Sequence, residues 1–488
     1  MVTISKAARY WAFKELARRA GVSHDFFKSW TVEISPGATI IHLQPGTTKQ
    51  IVFKNLSDDK NGDDLASSAF RTVRARWMSD PEEPIKSAIP DLIVPFCERA
   101  ENERHPLFWQ ATADRIECFA DLPASTLFTL CRVEETQARH LDVHSRFSAS
   151  MSVACRDGFL DHPVVDEWGL AFAQAIEALV PGWRPKPRRL CAKISHDIDE
   201  VGLPAGLWQI QRNGNGSPLA RTGWMILPFD LRHAIKLSLE HRNPLRGAKQ
   251  LLRTVAPGQP SCLELVRTVV RAAQEKGLDS AVYWKASRLG PFDSGYDPRH
   301  DRIHKMIQWL GEHSIENGVH PGYGTFGCPQ ELRAELQILR SVLGREPLGG
   351  RQHYLRWCPE TWIDWENCGL AYDSTVAYAD QVGFRAGTCV PYHPWLLSLD
   401  REARLLEIPL LVMDACLLES MRLRGDELLN AVSRLIHRCR VVGGVFTFLC
   451  HNTTLRDASF VREYEQILDM LIRSDRFDWQ SSLTNEWA

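Results

Sequence analysis

Acidic and imidazole side chains stand at the ends of several apolar runs of this 488-residue chain. They are Asp197, Asp199, His320 and His451. Apolar runs of this length predict buried strands, and in barrel-like α/β proteins the ends of parallel strands meet on one face, where the chemistry lies. Two carboxylates and two imidazoles gathered there are typical of a metal-dependent hydrolase.

The pair Asp197 and Asp199 belongs to the sequence Ser-His-Asp-Ile-Asp. Successive side chains of a strand point to opposite faces, so both acids share one face while His196 takes the other. Two close carboxylates repel each other unless a cation or proton lies between them. One of them can therefore bind a metal while the other acts as a general base. A loop or cap of the same composition is the alternative.

Two histidines complete this set. His320 follows Gly-Val and precedes Pro-Gly, a turn that leaves its imidazole at the mouth of a sheet. His451 ends a strongly apolar run and is suited to general acid or base catalysis, because its ordinary pKa is near neutrality. Asp414, which closes another apolar run, can orient it.

A further polar run places Arg351 two residues before His353. An arginine can hold a carboxylate through a bidentate pair, and in an extended segment both side chains lie on one face. A surface segment with an ion pair is the alternative.

The elements that must position these residues alternate between strand and helix after residue 186, which favours an α/β fold with a largely parallel sheet or barrel. Strands are predicted at 190–194, 280–284, 315–319, 348–353, 370–373, 405–413, 441–449 and 478–482. Helices are predicted at 262–276, 302–312, 329–343, 359–368 and 426–438. About eight strands over 300 residues match a (β/α) barrel in size.

A basic, proline-rich connector at 183–189 indicates a boundary near residue 185. We therefore predict a smaller mixed α/β accessory domain over 1–185, with helix 7–19 and strands 39–43 and 50–53, and the barrel over 186–488. The long stretch 202–260 is interpreted as a loop or insertion covering the site.

Composition narrows the class of protein. A formal net charge of -2 gives no general attraction to nucleic acid, and no run of about 20 apolar residues is long enough to cross a bilayer. The N-terminus lacks the features of a secretory signal, which favours a cytoplasmic protein. Thirteen scattered cysteines without C-x-x-C pairs indicate buried free thiols.

Taken together, residues 188–488 resemble the polysaccharide deacetylases, and more closely a divergent subgroup with an extra N-terminal domain. The motifs that carry the resemblance are Gly158-Phe-Leu-Asp-His-Pro-Val-Val-Asp-Glu167, Ser195-His-Asp-Ile-Asp199, Gly318-Val-His-Pro-Gly-Tyr323, Arg351-Gln-His-Tyr-Leu-Arg356, Tyr372-Asp-Ser-Thr375 with Gly383-Phe-Arg-Ala-Gly-Thr388, and Leu406-Glu-Ile-Pro409. The family folds as a distorted (β/α) barrel and removes acetyl groups from sugars with the help of a metal ion.

By this resemblance Asp197 matches the catalytic base and Asp199 the metal-binding aspartate. His320 matches the first histidine of the family's metal-binding motif, whereas the second is absent, since Tyr323 and Gly324 stand in its place.

We predict that His353 replaces the missing ligand. Arg351 then matches the arginine that braces the base, and His451 matches the late histidine that acts as the acid. A shell of two histidines and one aspartate favours Zn²⁺.

The predicted function is hydrolysis of an N- or O-linked acetyl group on a sugar or glycan intermediate, with no nucleic acid partner and an oligomeric state that the sequence leaves open. Candidate aromatic platforms for the sugar are Tyr323, Trp357, Tyr378 and Trp395, whose alternative role is in the core. Two other functions remain open: a catalytically degenerate relative that binds glycans, favoured by the missing histidine, and a metal-dependent glycosyltransferase with an Asp-x-Asp motif.

Overall fold

A computed structural model describes residues 4–44, 46–55, 73–75, 92–94, 107–136, 138, 140–201, 261–288, 290–293, 296–472, 474–476 and 480. The predicted insertion at 202–260 lies outside these residues. The chain divides into two compact units. The first unit comprises the described residues of 1–192, 355–447 and 473–488, and the second those of 193–354 and 448–472. The predicted single boundary near residue 185 stays a prediction.

The N-terminal part of the first unit combines helices with a five-stranded sheet. Its elements are α1 (Lys6–Arg19), α2 (His24–Lys28), β1 (Thr31–Ser35), β2 (Ala38–His42), β3 (Gln50–Lys54), β4 (Val73–Ala75), β5 (Leu92–Val94), β6 (Phe108–Thr112), β7 (Arg115–Cys118), α3 (Leu122–Leu130), α4 (Val153–Arg156) and α5 (Val164–Leu179). The sheet has the order β1-β2-β3-β7-β6, and only β3 and β7 pair in parallel. The Ser5 hydroxyl caps α1 by accepting a hydrogen bond from the Ala8 amide at 3.0 Å.

Strands and helices then alternate along the chain, apart from five consecutive short strands between residues 372 and 413. They are β8 (Cys191–Ile198), α6 (Cys262–Glu275), β9 (Asp279–Trp284), α7 (Asp301–Glu312), β10 (Glu316–Val319), α8 (Pro329–Leu343), β11 (Gly349–Gly350), α9 (Pro359–Asn367), β12 (Tyr372–Asp373), β13 (Trp395–Leu396), β14 (Arg401–Glu402), β15 (Leu406–Glu407), β16 (Val412–Met413), α10 (Gly425–Val442), β17 (Val445–Leu449), α11 (Ala458–Leu471) and β18 (Asp475–Arg476).

Parallel strands with intervening helices form the second unit. The strand order is β8-β9-β10-β11, with Ser195 opposite Ala281, Gly318 opposite Tyr283 and Val319 opposite Gly350. Helices α7 and α8 supply the crossovers around β10, since parallel neighbours cannot be joined by a tight turn. The arrangement fits a (β/α) barrel and confirms the predicted parallel α/β architecture.

In the first unit the shorter strands make three further pairs. β12 and β15 pair in parallel, β13 and β14 pair antiparallel, and β18 runs parallel to the first residues of β8. No helix of the described residues is long and apolar enough to cross a membrane. In the described part of the chain, the cysteines whose bonding state is assigned are free thiols.

Several predicted strands are shorter than their apolar runs. The prediction for 441–449 is wrong at its start, because α10 continues to Val442. The helix ends at Gly443, whose φ of 64° is unstrained only in a residue without a Cβ. The runs 348–353 and 405–413 reduce to β11 and to β15 with β16. The run 478–482 lies, apart from Gln480, outside the described residues.

Two glycines allow β10 and β11 to approach closely. A Cβ on Gly318 would lie 2.5 Å from the Gly349 carbonyl oxygen, and a Cβ on Gly350 would overlap the Val319 carbonyl oxygen. Neither glycine has a left-handed φ, so the requirement is for space. The absence of side chains here lets the segments after β10 and β11 lie side by side.

Candidate active site

The end of β8 separates its polar side chains as strand alternation predicts. His196 is fully buried, and its Nδ1 lies 3.1 Å from the Cys450 carbonyl oxygen and its Nε2 3.4 Å from the Tyr464 hydroxyl. It is therefore a core histidine. Asp197 is also buried, whereas the Asp199 side chain keeps a quarter of its surface exposed.

Asp197 is held by a buried arginine. Arg351 Nη1 donates to Asp197 Oδ1 and to the Ser195 hydroxyl, both at 3.0 Å. The guanidinium carbon of Arg351 lies 5.2 Å from the centroid of the Tyr283 ring. Because the ion pair is shielded from water, it fixes the orientation of the Asp197 carboxylate more firmly than an exposed pair would.

His320 follows β10 and is oriented by the backbone of the next segment. Its Nδ1 donates to the Arg351 carbonyl oxygen at 2.7 Å and lies 3.5 Å from Asp197 Oδ2. Burial lowers the pKa of His320, partly opposed by the negative charge of Asp197. A neutral imidazole with its proton on Nδ1 presents the Nε2 lone pair, which lies 3.2 Å from Asp199 Oδ1.

His353 faces the same carboxylate and has a carboxylate partner of its own. Its Nδ1 lies 2.9 Å from Asp293 Oδ1, and its Nε2 lies 3.3 Å from Asp199 Oδ1. Burial opposes ionisation of Asp293, but the hydrogen bond and charge of His353 outweigh it and lower the pKa of this carboxyl group. Histidines that ligate metals commonly donate their other ring nitrogen to such a carboxylate.

Three candidate ligand atoms thus converge. Asp199, His320 and His353 each offer one, and these atoms all lie within 4.8 Å of one another. Burial opposes the charge on Asp199, but Lys285 and His353 outweigh it and hold its pKa well below the ordinary value. Ligands about 2.0–2.1 Å from a tetrahedral zinc ion lie about 3.3 Å apart. The two Asp199–imidazole distances match that spacing, so the donor set fits a zinc-like ion.

Sequence analysis missed a lysine within this group. Lys285 follows β9 directly and is 1% exposed, and its Nζ lies 2.9 Å from Asp199 Oδ1 and 2.8 Å from His353 Nε2. Its amide donates to the Tyr296 hydroxyl at 2.8 Å, and that hydroxyl donates to the Ile198 carbonyl oxygen at 2.9 Å. The only signal in the sequence was a charged residue at the end of an apolar strand.

His451 lies at the edge of the same group. Its Nε2 is 3.7 Å from Asp199 Oδ2, and 16% of its side chain is exposed. The next amide, of Asn452, donates to the Asp197 carbonyl oxygen at 3.4 Å, which keeps this segment beside β8. Asp414 is buried in the other unit, where its Oδ1 accepts from the Ala415 amide at 2.8 Å, so its predicted orienting role stays a prediction.

An aromatic group adjoins His353. Phe292 is 40% exposed, and its ring centroid lies 4.3 Å from that of Tyr323 and 5.8 Å from that of Tyr354. The Tyr354 ring is 4.6 Å from the His353 ring. Of the four platforms predicted, Tyr323 is partly exposed, whereas the others are buried: Trp357, Tyr378 and Trp395.

One family model and several solved structures match parts of this chain. A family of unknown function, DUF7033, matches residues 66–181. No curated protein sequence matches the chain. Among solved structures, the chain is similar to a candidate polysaccharide deacetylase from Mycobacterium smegmatis, with 13% identity, coverage of 61% of this chain and 88% of that one, and a TM-score of 0.37.

Two further structures show the same level of likeness. A polysaccharide deacetylase candidate from Pseudomonas aeruginosa PAO1 is 13% identical over 63% of this chain and 93% of its own, with a TM-score of 0.38. PuuE allantoinase is 13% identical over 63% of this chain and 92% of its own, also with a TM-score of 0.38.

Proposed function

We propose that this protein is a metal-dependent hydrolase that removes an N- or O-linked acetyl group from a sugar or glycan intermediate. The observation that carries the proposal is the convergence of Asp199, His320 and His353 beside the buried Asp197–Arg351 pair. A metal-ligating carboxylate and a separate, oriented carboxylate are the two groups that such a hydrolysis needs. The motifs that resemble polysaccharide deacetylases support the same reaction.

The ligands would be Asp199 Oδ1, His320 Nε2 and His353 Nε2. A divalent ion held there, which we propose to be Zn²⁺ from the donor set, would polarise the acetyl carbonyl and make water a better nucleophile at neutral pH. Hydrogen bonds to the Arg351 carbonyl oxygen and to Asp293 orient the two imidazoles. These contacts support a preorganised ligand set, since the rings need not rotate to bind.

Asp197 is the proposed general base. The Arg351 guanidinium holds Oδ1, and Oδ2 lies 3.5 Å from the Nδ1 atom of the candidate ligand His320. In this role Asp197 takes the proton of the attacking water. Arg351 is then a positioning residue, because it acts through the carboxylate that it holds.

His451 is the proposed general acid. Its partial exposure and its distance of 3.7 Å from Asp199 support this role, because a substrate bound at the proposed ligand atoms would lie near it. It protonates the leaving nitrogen or oxygen as the acetyl bond breaks. Asp414 is proposed to orient His451. The proposed substrate is a cytoplasmic intermediate of glycan assembly.

The sugar ring would contact the aromatic group of Phe292, Tyr323 and Tyr354. Phe292 is exposed, and the group touches the candidate ligand His353 through Tyr354. Sugar rings present apolar C–H faces that pack on aromatic rings, while their hydroxyl groups remain in water. This position would bring an acetyl substituent toward Asp199.

Elemental analysis of the purified full chain tests the proposal. We expect near-stoichiometric zinc in the wild type and its loss in Asp199→Ala, His320→Ala and His353→Ala, because each variant removes one of three ligands. The matched control is His313→Ala, since His313 is exposed at the end of α7 and its Nδ1 contacts the Trp309 carbonyl oxygen.

Acetate release from N-acetylated and O-acetylated sugars completes the test. We expect release by the wild type and by His313→Ala, and none by the three ligand variants. Bound metal without any release would favour a glycan-binding relative. Cleavage of a nucleotide sugar instead would favour a glycosyltransferase.

A further inference from the structure

The ammonium group of Lys285 contacts atoms that a bound metal ion would also need as ligands. It lies within 3 Å of atoms of two of the three candidate ligands, Asp199 Oδ1 and His353 Nε2. A lysine Nζ carries only donors, so it engages the same lone pairs that would bind a divalent cation. Both cations cannot hold these lone pairs at once.

Burial makes this contact strong. The Lys285 side chain is 1% exposed, and Asp293 Oδ1 lies 3.7 Å from its Nζ. At a separation near 3 Å, two opposite charges in a poorly hydrated site attract each other far more than they would in water. Metal binding must therefore overcome the attraction between Lys285 and Asp199.

A second buried lysine shows that the contact is specific to this site. Lys193 on β8 is also buried, and its Nζ donates to Glu316 Oε2 at 2.7 Å. Neither of these two residues is a candidate ligand. Lys193 therefore has the chemistry of an ordinary buried ion pair, and Lys285 alone of the two contacts the ligand atoms.

We propose that Lys285 sets the metal affinity of the site by competing with the divalent ion for Asp199 and His353. This inference rests on the proposed function, because it takes those residues as ligands. When the ion binds, Nζ moves off the ligand atoms toward Asp293, the nearest remaining carboxylate. The wild-type site consequently binds its metal less tightly than a site without the ammonium group.

Calorimetric titration of zinc alone into the metal-free full chain tests the inference. The variants are Lys285→Met, which keeps the apolar length of the side chain, and Lys285→Gln, which keeps a hydrogen-bond donor without charge. Lys193→Met is the control, because it removes a buried lysine that touches no candidate ligand. We expect at least about tenfold tighter zinc binding in both Lys285 variants and wild-type affinity in Lys193→Met.

A second measurement applies if a Lys285 variant folds too poorly for calorimetry. The rise in melting temperature on adding zinc should be larger in the Lys285 variants than in the wild type, because tighter binding to the folded state stabilises it more. Unchanged or weaker binding in both Lys285 variants, with binding lost in Asp199→Ala, would overturn the inference and leave the proposed function standing. No zinc binding in any folded variant would overturn both.

Discussion

Two buried charge clusters, one in each unit, contain similar residues and differ in arrangement. In the first unit Arg19 pairs with Glu15 and, through Nε, with Asp166 Oδ1 at 2.9 Å. Asp166 also accepts from the Thr388 hydroxyl at 2.7 Å and from the Cys389 amide at 2.9 Å. Each of these acceptors faces a donor in a fully buried setting, which is the pattern of a structural network.

The second unit also pairs an arginine with an aspartate, Arg351 with Asp197, but places further acceptors around a common point. The Nε2 atoms of His320 and His353 both face Asp199, whose side chain remains partly exposed. Buried charge alone therefore does not identify a site. Lone pairs that converge near an opening to solvent do, because they can take a ligand that enters from water.

The sharpest test of this contrast is a pair of matched substitutions. Asp197→Asn should lower kcat/KM for acetate release by roughly 10²–10⁴-fold, since it removes the proposed general base while keeping the shape of the side chain. Asp166→Asn should leave kcat/KM per folded molecule unchanged. Active-site-normalised kinetics on both variants, at a temperature where both are folded, provide the measurement. Equal losses would abolish the distinction between the clusters.

Stability should not separate the two variants in this way. Each removes a carboxylate that pairs with a buried guanidinium. Breaking such a pair typically costs about 3–5 kcal/mol, and we expect this loss for Arg351 and a smaller one for Arg19, which keeps Glu15. Urea unfolding of the wild type and both variants measures the loss. The comparison would fail if Asp197→Asn were as stable as the wild type, because the pair would then contribute to chemistry without contributing to folding.

The acid sensitivity of the first cluster provides a further test. Burial opposes ionisation of Glu15, but Arg18 and Arg19 outweigh it and lower its pKa from 4.5 to about 2. A folded-state pKa below the unfolded one stabilises the protein above pH 4.5, and this contribution of about 3 kcal/mol is lost as the pH falls from 4.5 toward 2. Glu15→Gln should flatten the pH dependence of the unfolding midpoint between pH 5 and 3. An unchanged slope would assign the acid sensitivity to other groups.

The smallest effect concerns orientation of a ligand. Asp293→Asn should weaken zinc binding by about 10–100-fold, because a carboxylate on the outer nitrogen of His353 fixes the tautomer and the orientation of the ring. Zinc titration measures the change. The control is Asp297→Asn, which changes an exposed aspartate paired with Arg299. Equal affinities of the two variants would contradict a role for Asp293.

Strand ends could be predicted from the sequence, and with them most residues of the candidate site. The ends of β8, β10 and β17 carry Asp197, His320 and His451, because apolar runs stop where the chain reaches the mouth of the sheet. Lys285 also ends an apolar run, but its contacts, like those of Asp293, could not be predicted in the same way. Asp293 and Lys285 follow β9 in irregular structure, and they contact His353 across 60 and 68 residues of chain. Hydrophobic periodicity carries no information on such contacts.

Errors in the predicted strands have local causes. The valines at 441 and 442 suit a buried helix end as well as a strand, and the choice depends on Gly443, whose left-handed φ terminates α10. The short β11 was predicted as six residues. Tyr354 and Leu355, with φ of 61° and 53°, turn the chain directly after His353.

The close contact between β10 and β11 has a consequence for tracing relatives of this protein. Gly318 and Gly350 leave room for two backbones to meet, and that meeting sets the separation between His320 and His353. A relative that kept the three proposed ligands but gained a methyl group at Gly350 would lose this spacing and, with it, the proposed metal site. When relatives are divided into those that keep the proposed metal site and those that have lost it, Gly318 and Gly350 are therefore as informative as the histidines.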